Sequence, residues 1–152
     1  MFKSVKKVLV GVLAASLMLT SVAFAAESPA DAPKVTGAKT NTVKVASDGK
    51  SVTVSAVKNN SKKYATVEAI KVNGKAVTVK LSANAFKKGT KKVTIKATGK
   101  VTVDKKAFAK LTKSQKKAVK VVISKKMKKA NRTALIKALK KAGVSAKNIS
   151  VK

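Results

Sequence analysis

From residue 42 onward, apolar and polar residues alternate with a period of two, the signature of half-buried strands. Val43 and Val45 alternate with Thr42 and Lys44. Beyond Asp48-Gly49, Val52 and Val54 alternate with Ser51, Thr53 and Ser55. Asp-Gly accepts the positive backbone angles of a type I′ turn. A two-residue loop sets Val45 opposite Val52 and Val43 opposite Val54, with Thr42, Lys44, Thr53 and Ser55 on the other face. A second alternating stretch, 64–81, folds about Asn73-Gly74 and predicts a hairpin with Ile70 opposite Val77 and with Val72, Val79 and Leu81 on that face. The same counting puts Glu68 opposite Val79, so that end opens to water. Residues 58–63, KNNSKK, read as a polar loop.

The pattern then repeats. Leu81 to Phe86, LSANAF, is echoed by Val103 to Phe108, VDKKAF, with the Ala-Phe pairs 22 residues apart. Each pair is followed by a basic stretch and an apolar strand, first Val93-Thr94-Ile95, then Val121-Val122-Ile123. The second unit has a longer connection in which Thr112 and Gln115 have the spacing of a capping box. Toward the end the period changes to that of a helix. Leu135, Leu139 and Ala142 form one stripe with Ile136 beside it, and Lys137, Lys140 and Lys141 lie elsewhere. Asn131 is placed to cap its start. Gly143 ends it as the residue after the C-cap, with Val144 returning to Leu139 in a Schellman-type stop.

The beginning of the chain reads as an address. Lys3, Lys6 and Lys7 precede an apolar run from Val8 to Val22 and the small-residue site Ala23-Phe24-Ala25, so residues 1–25 are expected to be a signal peptide cut after Ala25. No second apolar run follows, and no membrane-spanning segment is expected after cleavage. Residues 26–40 hold both prolines, Pro29 and Pro33, and read as a disordered linker. Residues 41–152 are the folded domain.

Composition narrows the chemistry. The 152 residues contain 36 Lys+Arg, 5 Asp+Glu, no His and no Cys, for a formal net charge of +31. The signal segment carries three lysines and no carboxylate, so the exported chain holds +28. A Cys/His metal site, a disulfide and a Ser–His–Asp system lack their parts. Of the five carboxylates, Glu27 and Asp31 fall in the linker and Asp48 in a turn, and the two left, Glu68 and Asp104, argue against a paired-acid hydrolase. We expect no catalytic residues, no metal and no cofactor. Arg132 is the single arginine, and Phe86 and Phe108, the only phenylalanines after the signal, read as core. With Tyr64 the one other aromatic, base reading by Arg forks and base stacking on aromatics are disfavoured, and nucleic acid is expected to be bound only non-specifically.

The stretch LSANAFKKGTKKVTIKATGKVTVDKKAFAKL, residues 81–111, resembles the BspA-like family of leucine-rich repeats from bacterial surface proteins. Repeats of that family have an x-x-A-F corner, a short turn and a strand. KVNGKAVTVKLSANAF is similar to the hairpin that precedes the first repeat there. KKANRTALIKALKKAGVSAKNISVK is similar to the Lys-rich helix, Gly and final strand that close such arrays. The resemblance spans 42–152. The chain departs from the pattern in having two recognisable repeats, little leucine, and Lys96 and Ser124 where a proline often follows the strand.

The resemblance implies a β-rich α/β fold: N-terminal hairpins leading into a short leucine-rich-repeat-like solenoid, capped by a C-terminal helix and strand. It also implies an exported, non-enzymatic binding or structural module, secreted or held at the cell wall. The charge points to an anionic cell-wall polymer or acidic glycan as partner, or to a host or surface protein. Lys87, Lys88, Lys91, Lys92, Lys137, Lys140 and Lys141 are the candidate polyanion-binding residues. The alternative, a histone-like protein binding nucleic acid without sequence preference, conflicts with the export signal.

Overall fold

The computed structural model describes residues 33–39 and 41–152. The signal peptide expected at residues 1–25 and most of the linker expected at 26–40 lie outside the described residues. The fold is mixed and strand-rich, with three sheets and two α-helices among the described residues. In chain order its elements are β1 (Val35–Thr36), β2 (Thr42–Val45), β3 (Ser51–Ala56), β4 (Tyr64–Val67), β5 (Lys71–Val72), β6 (Lys75–Ala76), β7 (Thr78–Leu81), β8 (Lys92–Ile95) and β9 (Val101–Val103). There follow α1 (Lys113–Ala118), β10 (Lys120–Ile123), α2 (Lys129–Lys141) and β11 (Ile149–Val151). Among these helices none is long and apolar enough to cross a membrane.

The first sheet has the order β2-β3-β7-β9 and the second β4-β8-β10-β11. The β2–β3 hairpin pairs Val43 with Val54 and Val45 with Val52, as the alternation predicts. Its turn differs. Gly49 alone takes a positive φ, its N–H donates to the Ala46 carbonyl, and Asp48 Oδ1 accepts from the Lys50 N–H. A type I′ turn needs both central residues at positive φ. Here the aspartate closes an Asx turn on itself instead, which frees it from that geometry. At Asn73-Gly74 both residues do have positive φ, and β5 and β6 pair across them.

That second hairpin is only two residues deep on each side. Beyond it the strands part: β7 joins β3 in parallel, and β4 joins β8 in parallel. The long 64–81 hairpin is therefore corrected. Zipping it further would place the Glu68 carboxylate against Val79, which is buried. Parallel pairing instead puts valine on valine. Val52, Val79 and Val101 lie in one row and Val54, Leu81 and Val103 in the next. In the second sheet Ala65, Val93, Val121 and Ile149 form a row, as do Val67, Ile95, Ile123 and Val151, each step 28 residues. Each buried aliphatic in these rows contributes about 1.5–3 kcal/mol relative to exposure.

The chain thus crosses from the first sheet to the second three times, β3 to β4, β7 to β8 and β9 to β10. The crossings meet at a corner. The Val57 N–H donates to the Ala85 carbonyl and the Phe86 N–H to the Ala107 carbonyl. Phe86 and Phe108 stack there, ring centroids 4.4 Å apart and planes 18° apart, both fully buried. Val57 holds the same place one crossing earlier.

The closing helix α2 packs on β9 and buries Leu135, Leu139 and Ala142. Its stop is the expected one: Val144 N–H donates to the Leu139 carbonyl, Gly143 N–H to Lys140, and Gly143 has φ +102°. Its start is not. Lys128 occupies the N-cap without a side-chain bond, and Asn131 lies inside the first turn. The loop before the helix is held by Arg132, whose Nη1 donates to the carbonyls of Lys125 and Met127, which makes an asparagine cap unnecessary. The capping box at α1 is complete, Thr112 accepting from the Gln115 N–H and Gln115 from the Thr112 N–H.

The linker reading also yields at its end. Val35–Thr36 pair with Lys71–Val72, and Lys34 and Asn73 exchange bonds from the Lys34 N–H to Asn73 Oδ1 and from the Asn73 N–H to the Lys34 carbonyl. Gly37 makes this approach possible: at φ +86°, a Cβ would lie 2.2 Å from the Ala69 carbonyl oxygen. We expect Gly37→Ala to detach β1, lowering stability by about 1–3 kcal/mol. Faster amide exchange at Asn73, with Val93 unchanged, is the readout; unchanged exchange at both refutes the role of the close approach.

Candidate polyanion-binding surface

The strands of the second sheet are parallel, so the connections that lead into them lie at one end of it. Three such connections stand side by side. Residues 60–63 lead into β4, 87–91 into β8 and 112–119, with α1, into β10. The Lys91 N–H donates to the Lys63 carbonyl and the Lys120 N–H to the Lys91 carbonyl. Asn148 Nδ2 reaches the Lys117 carbonyl from the segment that precedes β11. Neighbouring strands are about 4.8 Å apart, so lysines on adjacent connections fall within reach of one extended ligand.

This edge carries Lys62, Lys63, Lys87, Lys88, Lys91, Lys113, Lys117 and Lys147, all exposed, and Lys116, half-buried. Two of these side chains are placed by glycines on the next segment. The Lys63 stem runs over Gly89, and the Lys116 stem over Gly143; a Cβ on either glycine would meet the lysine at 3.5 and 3.1 Å. An aliphatic stem lying on bare backbone keeps its ammonium in water while losing part of its freedom. Lys92, the first residue of β8, lies 5.4 Å from the centre of the Tyr64 ring, a cation–π contact beside the same edge.

The candidate lysines fall into two groups. Lys87, Lys88, Lys91 and Lys92 belong to the edge just described. Lys137 and Lys141 lie on the outer face of α2 with Lys129, along an open concavity of about 830 Å3 floored by Ala130, Thr133, Ala134 and Ala138. Lys140 is exposed in the last helical turn but does not line it. Sequence reasoning passed over Lys63 and Lys116 as site residues. The 28-residue step separates Lys63 from Lys91 and Lys92 from Lys120, a signal present in the sequence but visible only once the parallel register is known.

The three carboxylates of the described residues are elsewhere and already engaged. Asp48 and Asp104 close local turns onto the N–H groups of Lys50 and Lys106. Glu68, beyond the other end of β4, faces Lys96 at 3.8 Å. That pair is largely solvated on the lysine side and contributes at most about 1 kcal/mol. It is the one ion pair among the described residues. The edge thus presents ammonium groups without local neutralisation. Arg132, spent on main-chain carbonyls, adds no guanidinium fork to it.

Comparison with protein-family models, with curated proteins and with solved structures finds no match to this chain.

Proposed function

We propose that the protein is an exported, non-enzymatic binding module that associates with anionic polymers of the cell surface, a short and lysine-rich counterpart of the BspA-like leucine-rich-repeat proteins. The observation that carries the reading is the charge: 36 basic against 5 acidic residues, with every described basic residue except Lys92, Lys116 and Arg132 exposed and a single ion pair among the described residues. A field of one sign gathers polyanions and raises their rate of encounter. The apolar run and Ala23-Phe24-Ala25 at the N-terminus support export, and outside the cell the available polyanions are wall polymers, acidic glycans, anionic lipids and released DNA. Support for a small solenoid comes from the parallel rows at 28-residue steps and from the Phe86–Phe108 stack at the repeated Ala-Phe corner. In that reading α2 and β11 close one end of the stack.

Lysine acts as a hydrated point charge rather than a shaped fork, so recognition is by charge density. Filter binding with teichoic acid, a sulfated glycan and duplex DNA of two unrelated sequences tests this. All should bind, and log affinity should fall linearly with log salt, with slope near −0.9 per phosphate engaged on the duplex. Salt-independent affinity for one neutral sugar or one peptide would overturn the reading.

A further inference from the structure

The lysines are not equivalent: we propose that the edge where the connections enter the second sheet is the binding track, and that it takes a flexible, linear phosphodiester polymer lying across the strands. The proposal rests on the polyanion reading and adds to it a place, a direction and a class of ligand. Three observations carry it. First, the connections before β4, β8 and β10 are joined by backbone hydrogen bonds from Lys91 to Lys63 and from Lys120 to Lys91, which fixes the lysines of three crossings in one line. Second, Lys63 and Lys116 are laid over Gly89 and Gly143, so part of their ordering is complete before a ligand arrives. Third, among the described residues no carboxylate falls on this edge: Glu68 pairs with Lys96 beyond the strands, and Asp48 and Asp104 close turns of the first sheet.

The dimensions select the ligand. Four strands at about 4.8 Å spacing give a track on the order of 15 Å long. A flexible chain lays successive phosphates along such a line and bends to keep each one near an ammonium. A stiff duplex keeps its phosphates on a fixed helical path that winds away from a straight line, so it sets fewer of them against the track.

The test compares two variants of equal charge in the full chain. The edge variant carries Lys63→Gln, Lys88→Gln, Lys91→Gln and Lys116→Gln. The control carries Lys44→Gln, Lys80→Gln, Lys100→Gln and Lys105→Gln, exposed lysines on or beside the first sheet. The probe is synthetic poly(glycerol phosphate), with a DNA duplex alongside. Four lost contacts on a single chain should flatten the salt slope by about 3 and weaken binding about 100-fold near 0.15 M salt, with the control losing under about tenfold. The duplex should lose less than the flexible polymer in the edge variant. Equal losses in the two variants, with both unfolding at the wild-type midpoint, would refute the track and leave charge-driven binding standing. Absence of salt-sensitive binding in the unmodified protein would remove the polyanion reading itself. If the edge variant unfolds early, Lys88→Gln with Lys91→Gln, two exposed side chains, decides against Lys100→Gln with Lys105→Gln by the same comparison.

Discussion

Phe108→Ala is expected to lower stability by about 3–5 kcal/mol, a large share of the roughly 5–15 kcal/mol that holds a domain folded. The ring is fully buried and stacks on Phe86, and with Val57 it fills the corner where each crossing leaves the first sheet. No other aromatic of the described chain reaches that space, since Tyr64 is 38% exposed on the far sheet. The cavity therefore stays open, and the neighbours it would draw on, Ala85 and Ala107, are themselves small and held by the corner hydrogen bonds. Phe86→Ala should behave alike. The double variant should lose about 0.5–1.5 kcal/mol less than the sum, the part that belongs to ring-on-ring contact. Lys110→Ala, an exposed neighbour, should stay within about 0.5 kcal/mol. Urea titration reads all four. Small and equal effects for Phe108 and Lys110 would mean that the corner does not hold the two sheets together.

Where one segment determined its own geometry, the sequence could be read. The Val43/Val54 and Val45/Val52 register followed from alternation around one turn. The α1 capping box and the Gly143 stop followed from four and six residues respectively. The 22-residue echo also corresponds to a contact, because Leu81 pairs with Val103 and Phe86 stacks on Phe108. What escaped was non-local. Tyr64–Val67 and Thr78–Leu81 flank a strong Asn-Gly turn and look like partners, and only the competition with Val93 and Val52 sends them apart. A valine at position 57 instead of a phenylalanine hid the first crossing from any search on Ala-Phe. The proposed track was hidden for the same reason. Lys63, Lys91 and Lys116 are distant in sequence, and the parallel register alone makes them neighbours.

The same one-sided charge that gathers polyanions should make the folded state depend on them. Cut after Ala25, the chain would carry +28, which repels itself more strongly when compact than when unfolded. Raising simple salt from about 0.01 to 0.15 M shortens the screening length from about 30 to 8 Å, so the melting temperature should rise with salt. A polyanion that binds the native edge adds a separate increment through mass action. At about a hundredfold excess over its dissociation constant, poly(glycerol phosphate) should contribute about 2.7 kcal/mol, a shift on the order of 10 °C for a domain of this size. The two increments differ in origin and can be separated. Screening acts on every lysine, so the edge variant and the first-sheet control should respond alike to simple salt. The increment from the polymer requires native geometry at Lys63, Lys88, Lys91 and Lys116, so it should largely vanish in the edge variant and persist in the control. Thermal unfolding of the three proteins, with salt alone and with the polymer, resolves the two. If the polymer raises all three melting temperatures equally, it stabilises by screening the whole surface, and the ordered lysines of the edge contribute no more than any others.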